Sequence, residues 1–352
     1  MVKITINDTV AKLKEKSKAK NTQDKYEGDW LKFTNYCQNK YLCNPLDVDD
    51  LESAYALTAN YMDWLHEDPE AKVFKGSSNI PGREKLNNNP YSSSPYKAST
   101  IQRILASITY KYRLNGFQFD RKNPNIAETI SAIVRDEKNN KSGQAKELLK
   151  ADIIKIIDTI PSDEEDYSNI RDKALILIGF YSFCRRSELL GMQFEHLNFG
   201  NDGVQVLIPF SKTDQTGEGR MILLPATNDD YCPVRALKHW LEIAMIEKGP
   251  LFYKINKSNT IEKYTMNYKN QKVSLNDSSF VLILKKRALA AGLENCDKIS
   301  GHSLRIGSIT QARMNGVPTY EIMAQSGHKT TQMIDRYTKL SNIKETSAAK
   351  KI

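Results

Sequence analysis

The sequence predicts a mainly α-helical protein with a small antiparallel β-sheet, divided into two domains. Three observations carry this. The chain has 352 residues, more than one compact core usually organises. Apolar residues recur at helical spacing along most of it, whereas a single stretch shows two Val/Ile/Leu-rich runs, 203–210 and 220–226, flanking a polar turn. Between residues 136 and 144 the run Asp-Glu-Lys-Asn-Asn-Lys-Ser-Gly-Gln holds no apolar side chain, which reads as a linker.

Taken in order, residues 1–20 form a lysine-rich tail carrying Lys12, Lys14, Lys16, Lys18 and Lys20. A helical domain follows over 21–137. Its first helix starts near Thr22, with Asn21 or Thr22 as cap and Tyr26, Trp30, Phe33 and Cys37 as its inner face. A second, from Asp50 to His66, lies in an acidic stretch without Lys or Arg, so that face should point away from a phosphate backbone. Residues 74–97 are rich in Ser, Asn, Pro and Gly and read as a long loop. A third helix runs from Ser99 or Thr100 to about Asn115, stopped by Gly116, and a short fourth spans about 125–135. After the linker at 138–145, the second domain (146–340) opens with helices at about 150–159 and 169–183. The hairpin comes next, then helices near 233–246 and 278–291, an Asn-, Lys- and Tyr-rich loop at 254–277, and a mostly helical final third. Residues 341–352 form a second tail.

Composition narrows the function. Lys and Arg number 51 against 42 Asp and Glu, a formal charge of +9, which favours a polyanionic partner such as nucleic acid. The five cysteines are scattered without a CxxC, which argues against a disulfide scaffold or a structural zinc site and for a reducing compartment. The five histidines form no HxxxH pair, so no metal centre is expected. No apolar run is long enough to span a bilayer, and the start Met1-Val2-Lys3-Ile4-Thr5 lacks a secretory pattern, so the expected location is cytoplasmic, nucleoid or nuclear.

Four segments carry reactive groups. In Ser300-Gly301-His302-Ser303-Leu304-Arg305, a helix opening here would place His302 and Arg305 on one face near its electropositive end, suited to a phosphate; the bland alternative is a capping His beside a surface Arg. Gly327-His328 is followed nine residues on by Tyr337, a pattern that a helix C-cap and a core histidine would also explain. In Cys184-Arg185-Arg186-Ser187-Glu188-Leu189, two arginines follow an apolar helix, and Glu188 is placed one turn from Arg185 as an ion-pair partner. Lys212 sits in the hairpin turn, where lysines are ordinarily just solvated charges.

Arg-x-Ser-Glu-Leu, a hairpin Lys, His-x-x-Arg, Gly-His and a Tyr nine residues later, in that order over about 145–340, resemble the tyrosine recombinase family, the group that includes bacteriophage integrases. The resemblance implies a C-shaped clamp, with a helical core-binding domain on one side of duplex DNA and the catalytic domain on the other. It implies a site-specific recombinase serving a mobile element, phage or virus, and working without metal, cofactor or ATP. Tyr337 would attack the scissile phosphate and form a 3′-phosphotyrosine. His302 would take the phenolic proton, Arg185 and Arg305 would grip the non-bridging oxygens, Lys212 would protonate the leaving 5′-oxygen, and His328 would add a hydrogen bond. Glu188 would orient Arg185 or His302. The one-residue gap before Ser-Glu-Leu selects Arg185 over Arg186, and shared helical facing with Glu188 agrees.

On the core-binding side, Lys97, Thr100, Gln102, Arg103 and Lys111 are the expected DNA contacts, with the third helix in the major groove. The expected partners are double-stranded DNA bearing a specific recombination site and further copies of the chain, four in the active assembly, with the C-terminal tail docking on a neighbour. About twenty residues precede the first helix, too few for the separate arm-binding domain of larger phage integrases. A type IB topoisomerase uses similar groups, and a silent DNA-binding relative would keep only the fold; the motif spacing and the full set of reactive residues favour the recombinase.

Overall fold

The computed structural model describes residues 20–68, 71, 96–139, 145–162, 165–209, 219–263 and 274–338. The lysine-rich tail, most of the 74–97 loop, the hairpin turn with Lys212, part of the 254–277 loop and the C-terminal tail lie outside the described residues. The chain divides into two compact units, Met1–Ser142 and Gly143–Ile352.

Unit 1 is helical where described: α1 (Lys20–Tyr41), α2 (Leu51–Glu67), α3 (Ala98–Leu114) and α4 (Pro124–Asn139). Because α1 already begins at Lys20, Asn21 and Thr22 sit in its first turn and do not cap it. Asp50 does cap α2, its carboxylate accepting the Ser53 N–H at 2.7 Å. Gly116, with φ of +89°, follows the end of α3. The core is aromatic: Phe33, Tyr36, Tyr61, Tyr112 and Phe119 are buried among Ile101, Leu105 and Ile108. Tyr112 and Phe119 stack at 4.9 Å between centroids.

Unit 2 begins with α5 (Lys150–Asp158) and α6 (Tyr167–Tyr181). Asp166 caps α6 through the N–H groups of Ser168 and Asn169. Nearly all of α6 is buried, so its apolar run serves a helix covered on all sides, packed by α5, α8 (Pro233–Ile243) and α10 (Ser303–Met314). The polar residues on it form a closed network. Asp172 accepts from Arg171 and, across from α9 (Asp277–Ala290), from Arg287 at 2.8 Å, while Arg287 also reaches Asn169 at 2.7 Å. Each buried charge there has its partner.

The sheet has one strand more than the sequence predicts. The hairpin strands β2 (Gly203–Ile208) and β3 (Arg220–Pro225) are joined by β1 (Leu197–Phe199), in antiparallel order β1-β2-β3. A three-residue strand is too short to show alternation. Val204, Val206, Ile222 and Leu224 turn inward. The open edge of β3 is covered by Gln325, whose side chain brackets the Leu223 peptide, donating to its carbonyl at 2.9 Å. Gln325 belongs to α11 (Thr319–Ser326), and α12 (Thr331–Thr338) packs on α10 and α11. Gly307 lets the chain entering unit 2 cross α10, since a Cβ there would stand 1.8 Å from the Leu148 carbonyl oxygen. Among the described residues no helix is long and apolar enough to cross a membrane.

Candidate active site

The site is built where α6 stops. Phe183 takes a left-handed φ of +56°, which costs a non-glycine residue roughly 1 kcal/mol or more. The turn carries Cys184 and Arg185 off the helix axis, and Arg185 becomes the N-cap of α7 (Arg186–Leu190). Glu188 then folds back on it. One carboxylate oxygen accepts the Arg185 backbone N–H at 2.9 Å and the other accepts its guanidinium at 2.8 Å. The Arg185–Glu188 pair read from the sequence is present, with Arg185 acting as the cap of the helix and not as part of it.

A second cation shares this carboxylate. Arg220, the first residue of β3, donates to Glu188 Oε2 at 2.9 Å. Burial alone would raise the Glu188 carboxyl, but Arg220 and Arg185 overcome it and hold it below the usual range. Arg220 is the site residue that sequence reasoning missed. Its only linear mark is its place at the head of the second hairpin strand.

Arg305 rises from the first turn of α10 and is 2% exposed. Its Nη1 donates to the Phe183 carbonyl at 2.6 Å, tying it to the turn that projects Arg185. Its Nη2 lies 3.0 Å from His328 Nε2 and 3.3 Å from Nδ1. A guanidinium can only donate, so the imidazole nitrogen it bonds carries no proton. The Ser326 hydroxyl lies 2.8 Å from Nδ1. His328 is 5% exposed, and burial, then Arg305 and Arg185, push it down to about 4. It is therefore neutral at physiological pH. Gly327 makes this placement possible: it ends α11 with φ of +69°, and a Cβ there would meet the Arg220 guanidinium at 2.8 Å.

The helix at His302 starts later than the sequence suggests. α10 begins at Ser303, and His302 is its N-cap residue. His302 is exposed; partial burial, then Arg305, Arg186 and Arg185, hold its imidazole below the ordinary value. Arg186 goes elsewhere than Arg185, meeting Asp277 at 2.5 Å with its side chain against Gly301. Tyr337 lies in α12, one turn after Ile334, which is fully buried with Ile309, Ala312 and Ile322. The structure thus brings Arg185, Glu188, His302, Arg305 and His328 together, and packs the helix of Tyr337 on the helix of Arg305. Lys212 lies outside the described residues, although the Ile208–Arg220 pair that closes its hairpin is described.

In unit 1, Lys97 and Gln102 are exposed and Thr100 is half-buried. Two of the expected DNA contacts have acidic partners on α1. Arg103 forms a bidentate pair with Asp29, a buried carboxylate on α1 that needs a cation, and Lys111 pairs with Glu27. Among the described residues one group has the composition of a metal site: His66, Glu67 and Asp136. There His66 Nε2 already lies 3.3 and 3.2 Å from the two carboxylates.

Comparison with known proteins gives the family. Residues 146–343 match the Phage integrase family. An integrase/recombinase xerD homolog of Selenomonas ruminantium is 33% identical over 334 residues, covering 94% of this chain and 84% of the relative. Among solved structures, the Tn1549 transposon integrase in complex with transposon right end DNA shares the fold, with a TM-score of 0.52 at 14% identity over 93% of this chain and 92% of that one. The chain belongs to the phage integrase family, the site-specific tyrosine recombinases.

Proposed function

We propose that the chain cuts and rejoins duplex DNA at specific sites of a mobile element, with Tyr337 as nucleophile. The observation that carries the assignment of roles is the convergence of Arg185 and Arg305 on two neutral histidines, beside the helix that holds Tyr337. Two fixed guanidiniums suit a phosphodiester whose charge grows in the pentacoordinate transition state.

The tyrosine oxygen attacks phosphorus and the bond to the 5′-oxygen breaks. The phosphate stays on the enzyme as a 3′-phosphotyrosine, so its bond energy is conserved for rejoining. A phenol ordinarily titrates near pH 10 and needs a base at pH 7. His302, held below its ordinary value by partial burial and then by its cationic neighbours, takes that proton. Lys212 gives one to the departing 5′-oxygen. His328 is set by two neighbours. In the free site Nε2 accepts from Arg305 and Nδ1 keeps the proton toward the Ser326 hydroxyl. Once the phosphate draws the Arg305 guanidinium to itself, the other tautomer, with Ser326 donating to Nδ1, donates from Nε2 to the phosphate.

Exchange between two duplexes opens four strands, and each protomer carries one Tyr337. The active assembly is therefore a tetramer on two copies of the site. In unit 1, α3 lies toward DNA, with Lys97, Thr100 and Gln102 as its contacts, while Arg103 and Lys111 brace α3 against α1. The experiment is a nicked duplex built from the ends of the element that carries this reading frame. It should trap protein covalently on DNA, and Tyr337→Phe should abolish the trapped species while leaving binding intact. Adduct persisting in that variant would move the nucleophile elsewhere.

A further inference from the structure

The strand leaving the hairpin brings one more guanidinium to the floor of this site. Arg220 pairs with Ile208 in the sheet register. Its Nη2 donates to Glu188 at 2.9 Å and lies 3.7 Å from Cys184 Sγ, and its guanidinium abuts Gly327, the residue before His328. Its Nε and Nη1 are buried and, among the described residues, have no hydrogen-bond partner. Idle buried donors on a cation are costly, and an apolar side chain would fill the same space at less cost if packing were its whole purpose. What the arginine supplies is a second positive charge on the Glu188 carboxylate.

That charge matters because of what Glu188 would do without it. The carboxylate now divides itself between two cations, so the set Arg185, Glu188 and Arg220 keeps a net positive charge beside the phosphate position. With Arg220 gone, both oxygens are left to Arg185, and the charge that should grip a phosphate is cancelled.

We propose that Arg220 is a positioning residue for strand cleavage: it holds Glu188 in the bridging arrangement that orients Arg185 without neutralising it, and it moors the hairpin carrying Lys212 to the same floor. Its buried donors do not reach DNA, so it acts through Glu188 and the hairpin. The inference rests on the cleavage reading above.

The test is single-turnover adduct formation and equilibrium binding on the nicked duplex, for the wild-type protein, Arg220→Ala, Arg220→Lys, Glu188→Gln and the Arg220→Ala/Glu188→Gln double variant. Arg220→Ala should slow cleavage by about tenfold or more while binding changes less than about threefold, as for other groups that act by orienting a reactive residue. Arg220→Lys should recover most of the rate, because an ammonium also satisfies the carboxylate. In the Glu188→Gln background, Arg220→Ala should cost less than about threefold further, the non-additivity expected of two residues working as one unit. Should Arg220→Ala fail to fold, Arg220→Gln takes its place with the same expectations. Wild-type cleavage by Arg220→Ala, or losses that multiply in the double variant and fall equally on binding and cleavage, would overturn the proposal alone. A wild-type protein that forms no adduct would overturn the cleavage reading and this inference with it.

Discussion

Acidification should destabilise unit 2 through His328. In the unfolded chain this imidazole titrates near its ordinary value of about 6.5. In the fold, burial together with Arg305 and Arg185 pushes it down to about 4. The folded state therefore binds the proton less readily. Above pH 6.5 both states are neutral at this position and the term is zero. As pH falls below 6.5 the unfolded chain gains a proton that the fold refuses, and stability drops until the folded pKa is passed. At about 1.36 kcal/mol per pH unit, the loss reaches about 2.5 kcal/mol by pH 4.5. The assay is urea unfolding followed by tryptophan fluorescence. Trp240 is fully buried in unit 2, while Trp30 and Trp64 lie in unit 1, so a Trp30→Phe, Trp64→Phe background makes the signal report on unit 2. His328→Gln removes the titrating group, and the gap between the two proteins at pH 7.5 should close by about 2.5 kcal/mol at pH 4.5. Parallel pH curves for the two proteins would refute the claim that His328 is held neutral by burial beside the arginine cluster.

Three further outcomes follow from the same geometry. Asp172→Ala leaves Arg171 and Arg287 buried without their shared carboxylate and should cost about 3–5 kcal/mol, measured by the same unfolding assay. Arg186→Gln removes one of the cations that hold His302 low, so its pKa rises and the acid limb of the cleavage rate should move to higher pH. An unmoved profile would mean that His302 is not the base. Gly327→Ala forces a Cβ into a left-handed residue and against the Arg220 guanidinium, and should cost at least about 1–2 kcal/mol along with cleavage activity, read from unfolding and adduct formation in parallel.

The helices were legible because buried faces impose a period on the sequence, and the long ones need only that period to be seen. The reactive residues were legible as an ordered set of short motifs, since each must be presented by a particular local element: a cap for Arg185, a first turn for Arg305, a C-cap glycine for His328. What stayed hidden depends on approaches between distant positions. Arg220 gains meaning only when β3 lies beside Glu188 and Gly327. Arg103 and Lys111 read as free cations until α1 brings Asp29 and Glu27 from 74 and 84 residues away. A charge pattern shows which side chains need partners and leaves open which ones they find. The sheet offers the same lesson at short range, since Leu197–Phe199 becomes a strand only because β2 offers it an edge.

The most direct measurement of the central claim is peptide mapping of the covalent protein–DNA species by mass spectrometry. A single attachment is expected, on Tyr337, to a 3′-phosphate, with a free 5′-hydroxyl on the other side of the break. Attachment at another residue, or to a 5′-phosphate, would contradict it.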